Sequence, residues 1–448
     1  MSKPAVSVHW FRRDLRLNDN HALWHALRSG APTLAVFIFD TEILDELTDK
    51  HDRRVDFIHR HLVRLKQQLE AKGSTLLVDV GTPEEAWLRI LERFDVKVVH
   101  TNRDHEAYAV QRDERIARLL AERGILFHHH KDQSVFERGE VLKDDGLPYT
   151  VFTPYMRKWR AHFHPNLLEP FLSEKVLDKL HQCAPEPLPS WEEIGFIRTD
   201  LAEPAARFDV DLLRNYSDRR NLPAVEGTSR LSTHLRFGTV SVREVLRACW
   251  SSSPAFANEL IWREFFMQIL WHFPRVVTKA FKPAYDNIAW RNSAAEFSAW
   301  CEGRTGYPIV DAGMRELNTA GLMHNRVRMI TASFLTKHLL IDWRWGEAYF
   351  AKKLLDYELS SNNGNWQWAS GSGCDAAPYF RVFSPAAQTE RFDPKLAYIK
   401  RWVPELGSPD YPEPIVDHDF ARKRALDVYK KGLASTNGAS ISQPQLFI

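Results

Sequence analysis

Five short apolar runs separated by amphipathic stretches fill the first third of the chain and constrain its fold more than any other feature. They are AVSVHWF at 5–11, TLAVFIFD at 33–40, STLLVDVG at 74–81, VKVVHTN at 96–102 and ILFHHHK at 125–131. Helical patterns at 52–72 and 106–123 lie between them. Strand and helix alternating in this way predict a Rossmann-like α/β domain over residues 1–131, with a five-stranded parallel sheet covered on both faces.

Beyond residue 131 the periodicity weakens and prolines accumulate, as in APEPLPSW at 184–191, so 132–206 is expected to be a connector between domains. One helix is expected within it, at VFTPYMRKW, 151–159. From residue 207 the pattern is helical almost throughout, which predicts an all-α domain over 207–431. The closing residues 432–448 are mostly small and polar, the composition of a disordered tail.

A net charge of +2 is too small to bind nucleic acid by bulk basicity, so any such partner must meet locally placed arginines and lysines. Four widely spaced cysteines without a CxxC argue against structural disulfides and a zinc-thiolate site. The run FHHHKD has no partnered acid or cysteine spacing, so no metal is expected there. With neither a secretion signal nor an apolar run of about 18 residues, a soluble cytoplasmic monomer away from membranes is expected. Tryptophan is unevenly spread: of 15, only Trp10, Trp24 and Trp87 precede residue 150, which points to aromatic recognition or chemistry in the second half.

The richest stretch is LLDYELSSNNGNWQWASGSGCDAAPYFRVF, 354–383, where Trp366, Trp368 and Tyr379 stand beside Asp356, Glu358, Asn362 and Arg381. That mixture of flat apolar rings and hydrogen-bonding groups suits a planar aromatic ligand. In NELIWREFF, Glu259, Trp262 and Arg263 fall at i, i+3 and i+4 and share one helix face; Asn325, Arg328 and Met329 in MHNRVRM do the same. EGTSRLSTHLRF places Thr228 and Ser229 where a helix is expected to begin, a receptor for phosphate. GSGCDA at 371–376 fits GxGxxA, but it follows WQW and not a strand, so it is not a dinucleotide fingerprint.

Together these motifs, with the opening VHWFRRDLRLNDN, resemble the DNA photolyase and cryptochrome family over nearly the whole chain, nearest to the class I branch acting on cyclobutane pyrimidine dimers. The resemblance implies light-dependent repair of DNA by electron transfer from reduced FAD. It implies FAD contacts at Tyr216, Thr228, Ser229, Leu231, Ser232, Arg263, Asn325, Arg328, Asp356, Glu358 and Asn362. A pocket for damaged DNA is implied at Glu259, Trp262, Asn325, Met329, Trp368 and Arg381, with Arg220 and Arg326 on backbone phosphates. Catalytic roles fall to Glu259 and Asn362, and an electron relay to Trp366, Trp343 and Trp290. Glu106 stands where some members contact an antenna, which can be methenyltetrahydrofolate or a second flavin. Phe256 and Glu358 depart from the Trp and Asp of many relatives. A cryptochrome-type photoreceptor, a (6-4) photolyase and a helical interaction module on a nucleotide-binding domain remain as alternatives.

Overall fold

The computed structural model describes residues 3–434 and divides into two compact units. The first comprises Met1–Pro148, Pro154–Ser217 and Thr228–Trp271; the second comprises Tyr149–Thr153, Asp218–Gly227 and the chain from His272 onward. Compactness thus cuts the chain differently from periodicity, since residues 228–271 are helical yet belong with the sheet.

In the first unit the five apolar runs become β1 (Ala5–Phe11), β2 (Thr33–Asp40), β3 (Leu76–Gly81), β4 (Asp95–Asn102) and β5 (Leu126–His130). All pair in parallel, as expected, in the order β3-β2-β1-β4-β5, which reverses between β1 and β4. The central strands are buried on both faces, so they read as unbroken apolar runs; β5, at the edge, is only partly covered and tolerates three histidines. Helices His21–Ala26, Arg53–Glu70, Pro83–Arg93 and Ala107–Ala121 make the crossovers. Pro83 opens the third of these behind a Thr82–Glu85 capping box, which satisfies first-turn amides and fixes the chain's exit from β3.

The expected helix in 151–159 is present as Phe152–His162. Helix Pro254–His272 is buried almost all round, and Asn258, Glu259, Trp262 and Arg263 form its half-buried strip.

The second unit is helical. Asn325–Ser333, Trp343–Lys353 and Leu359–Ser370 pack around Trp300, Phe334, Trp343, Phe350 and Trp366. Gly346 lets the last two of these helices approach closely, because a Cβ there would lie 2.1 Å from Trp366 Cη2. Helix His418–Ala434 includes the first residues of the expected tail; residues 435–448 lie outside the described residues.

Candidate functional site

Leu359–Ser370 organises the second unit's site. Its first turn follows Glu358, its Asn362 amide lies one turn on, and Trp366 and Trp368 fall on either side of its far end. A recess partly open to solvent is lined by Asn325, Arg328, Met329, Asp356, Glu358, Asn362, Trp366 and Trp368. Residues from two helices and from the segment that leads into the second, placed on separate sequence motifs, therefore line one space.

Within it the polar groups are held in place. Arg328 donates through Nη2 to both Asp356 oxygens, at 3.1 and 2.8 Å, and through Nε to the Met323 carbonyl at 2.8 Å. The Asp356 side chain is nearly inaccessible, so the charge pair orients the guanidinium and not merely neutralises it. Asn362 donates through Nδ2 to Glu347 Oε1 at 2.8 Å and to the Glu347 carbonyl at 3.2 Å, which leaves Oδ1 as an acceptor. Burial pushes the Glu347 carboxyl upward, against the pull of the Asn362 bond. Nothing in the spacing of Glu347 and Asn362 announced this pair.

A second recess on the same unit is lined by Asn221, Arg326, Arg381, Phe383, Gln388, Arg391 and Phe392. Arg326 donates to Asn221 at 2.8 Å and lies over the Phe392 ring at 4.4 Å. Burial, with Arg220, Arg391 and Arg381 nearby, pushes its guanidinium down from the usual arginine value. Among the described residues no carboxylate lines this recess, the composition of a receptor for an anion. Asn221, Gln388 and Arg391 were missed from sequence because solvated polar residues in ERF and RNL look the same as ligating ones. His324 accepts from the Arg326 amide through Nδ1, and burial pushes its imidazole down to about 4.

Trp343 and Trp366 are buried in one aromatic cluster, with Trp290 and Trp368 packed on its margin. Trp366 stands edge-on to Phe350 at 4.9 Å and to Trp300 at 6.0 Å. Trp290 is half-buried, edge-on to Tyr429 at 5.8 Å.

The first unit holds the remaining expected residues. Glu259, Trp262 and Arg263 do share a helix face, and Arg263 donates to the Gln133 carbonyl at 2.6 Å. Trp262 stacks on Phe266 at 5.6 Å, and Tyr216 meets Phe256 edge-on at 4.8 Å. The helix expected to begin at Thr228 and Ser229 instead runs Leu231–Phe237, because Arg230 adopts a left-handed conformation, φ 54°, that interrupts it. Arg230 supplies no side-chain cap; Ser229 Oγ accepts from the Leu231 amide at 3.3 Å, and Ser232 is exposed on the first turn. Glu106, expected at an antenna, accepts through Oε1 from Arg13 at 3.2 Å and Arg236 at 3.0 Å.

The donor set of the second unit suits the flat ring system of a flavin: an oriented guanidinium, a pinned amide whose oxygen can accept, and flanking indoles.

Residues 7–173 match the family model described as DNA photolyase, and 256–409 the one described as the FAD binding domain of DNA photolyase. The chain is 37% identical over 480 residues to the deoxyribodipyrimidine photo-lyase of Halobacterium salinarum, covering 95% of this chain and 99% of that one. Among solved structures it is similar to a class III photolyase from Agrobacterium tumefaciens, TM-score 0.84 at 33% identity, covering 96% of this chain and 98% of that one. It is also similar to an archaeal photolyase from Sulfolobus tokodaii described with two FAD molecules, TM-score 0.80 at 34% identity, covering 95% and 99%.

Proposed function

The chain belongs to the DNA photolyase family, and on that premise we propose that it repairs cyclobutane pyrimidine dimers in DNA in a light-dependent reaction. The observation that carries this reading is the recess in which Arg328, Asp356 and Asn362, assigned to the flavin, stand with Met329 and Trp368, assigned to the damaged bases. When bound, reduced FAD supplies the light-excited electron that opens the dimer's ring and receives it back afterwards.

The chain's own residues bind, orient and exclude water. Asn362 Oδ1 accepts from a donor on the flavin edge while Glu347 keeps the amide from turning. Arg328, held by Asp356, favours a reduced flavin's negative charge. Asn325, Arg263 and Glu358 complete the ring contacts, and Tyr216, Thr228, Ser229, Leu231 and Ser232 take the diphosphate.

In the first unit Trp262 offers a flat wall to a pyrimidine ring and Glu259 a hydrogen-bonding group to its polar edge; in the second Trp368 offers a wall, Met329 an apolar contact in the same recess and Asn325 a hydrogen bond. Arg220, Arg326 and Arg381 hold phosphates beside the lesion, and Arg391 joins them from the same recess. Trp366, Trp343 and Trp290, in or against one buried cluster, would serve to return an electron to a bound flavin. Among the described residues no helix is long and apolar enough to cross a membrane.

The test is illumination of the FAD-loaded, reduced protein with DNA carrying a thymine dimer. Restored pyrimidine absorbance supports the assignment; none, with reduced flavin confirmed by its spectrum, leaves a photoreceptor. The same spectrum shows whether an antenna, folate or flavin, accompanies the protein.

A further inference from the structure

We propose that His21, His25 and His130 form a binding site for a divalent ion of the zinc class, in the α/β unit and separate from the chemistry assigned to the helical one. His21 and His25 lie one turn apart on the helix His21–Ala26, so they share a face, and that helix packs against β4 and β5. His130 ends β5. One ring nitrogen from each of the three lies within 4.8 Å of the others.

Ring orientation supports ligation. His21 Nδ1 lies 2.7 Å from the Lys131 carbonyl, which can only accept, so Nδ1 carries the proton and Nε2 keeps its lone pair. A ligating histidine is commonly held in this way, by donating its other N–H to a backbone oxygen. Phe171 stacks on the same ring at 3.7 Å and fixes its plane. His130 Nε2 shares a proton with His100 Nδ1 at 2.9 Å; donation from His130 leaves its Nδ1 as a lone pair. The His25 ring makes no hydrogen bond among the described residues and lies against His130 at 4.4 Å between ring centres.

Arg243, one of the charges that act on His21, is compensated by Asp19 at 2.9 Å and Asp132 at 2.9 Å, while Arg28 acts on His25. Three imidazoles with no thiolate or carboxylate select zinc, nickel or copper over magnesium and calcium. Tetrahedral coordination at about 2.0–2.1 Å brings ligand nitrogens about 3.4 Å apart, so the side chains close by roughly 1 Å on binding, and water takes the fourth position.

The test uses the full FAD-loaded chain, stripped with chelator and then titrated with zinc against a chromophoric zinc indicator. The wild type is expected to hold one zinc per chain, and cobalt in its place to show intense visible d–d absorption. His25→Ala and His130→Gln are expected to weaken zinc at least tenfold, while His128→Ala, which removes a neighbour on β5 outside the trio, does not. Retained flavin absorbance and circular dichroism report that each variant is folded; His25, whose ring makes no hydrogen bond among the described residues, is the substitution least able to disturb the fold. No stoichiometric zinc in the wild type, equal affinity in folded His25→Ala, or equal loss in His128→Ala would each overturn the assignment.

Discussion

The Asn362 amide is pinned by Glu347, Nδ2 to Oε1 at 2.8 Å, so only its oxygen is presented to the recess that Trp366 and Trp368 flank. Asn362→Asp removes that donor and sets two carboxylates at hydrogen-bond distance, where one must take up a proton. The flavin reduction potential is expected to fall and repair to slow at least tenfold at pH 8, with partial recovery as the pH is lowered and a proton becomes available. Adding Glu347→Gln restores a donor and should recover most of the loss. Redox titration and repair rates of the two variants decide it; no recovery in the double variant would refute the pinning.

Arg391 is expected to contribute to DNA binding through charge alone. Arg391→Ala should weaken damaged and undamaged DNA alike and lower the slope of log K against log salt by about 1. An unchanged slope, measured by fluorescence anisotropy across salt, would remove Arg391 from the phosphate recess.

Gly346 packs where no side chain fits. A Cβ would meet Trp366 Cη2 at 2.1 Å and Leu335 Cδ2 at 2.5 Å. Replacing a helical glycine by alanine ordinarily gains about 1 kcal/mol, but overpacking a filled core costs about 1–3 kcal/mol. Two rigid neighbours must move here, so the second effect is expected to win. Gly346→Ala should lower Tm and perturb tryptophan fluorescence; a raised Tm would show that the helices separate freely.

Glu264 gives the α/β unit a pH dependence of definite sign. Burial pushes its carboxyl up to about 7 from 4.5, against donors at Val135 N, Phe136 N and Trp159 Nε1 at 2.9, 3.1 and 2.6 Å. Between those values the folded chain holds a proton that the unfolded chain has released, so stability is greatest below about 4.5 and declines as pH rises to about 7. Glu264→Gln removes that decline. It also turns an amide nitrogen toward N–H donors, at about 1–3 kcal/mol. Melting curves of both proteins from pH 5 to 8 test this, and parallel curves would exclude Glu264 as the source.

Sequence alone determined the elements and their faces, because both are set by periods of two and 3.6 residues that a short window contains. The five runs could only be covered strands, and Glu259 with Trp262 and Arg263, or Asn325 with Arg328 and Met329, could only share a side of a helix. Helix starts were less legible: Arg230 takes a left-handed conformation that nothing in its side chain requires, and it moves the start from Thr228 to Leu231. Tertiary structure alone brought Glu347 to Asn362, Arg391 and Gln388 to Arg326, and His130 to His21 and His25. Those meetings depend on how helices and strands pack, and a side chain's spacing along the chain carries no information about which distant group will lie across from it.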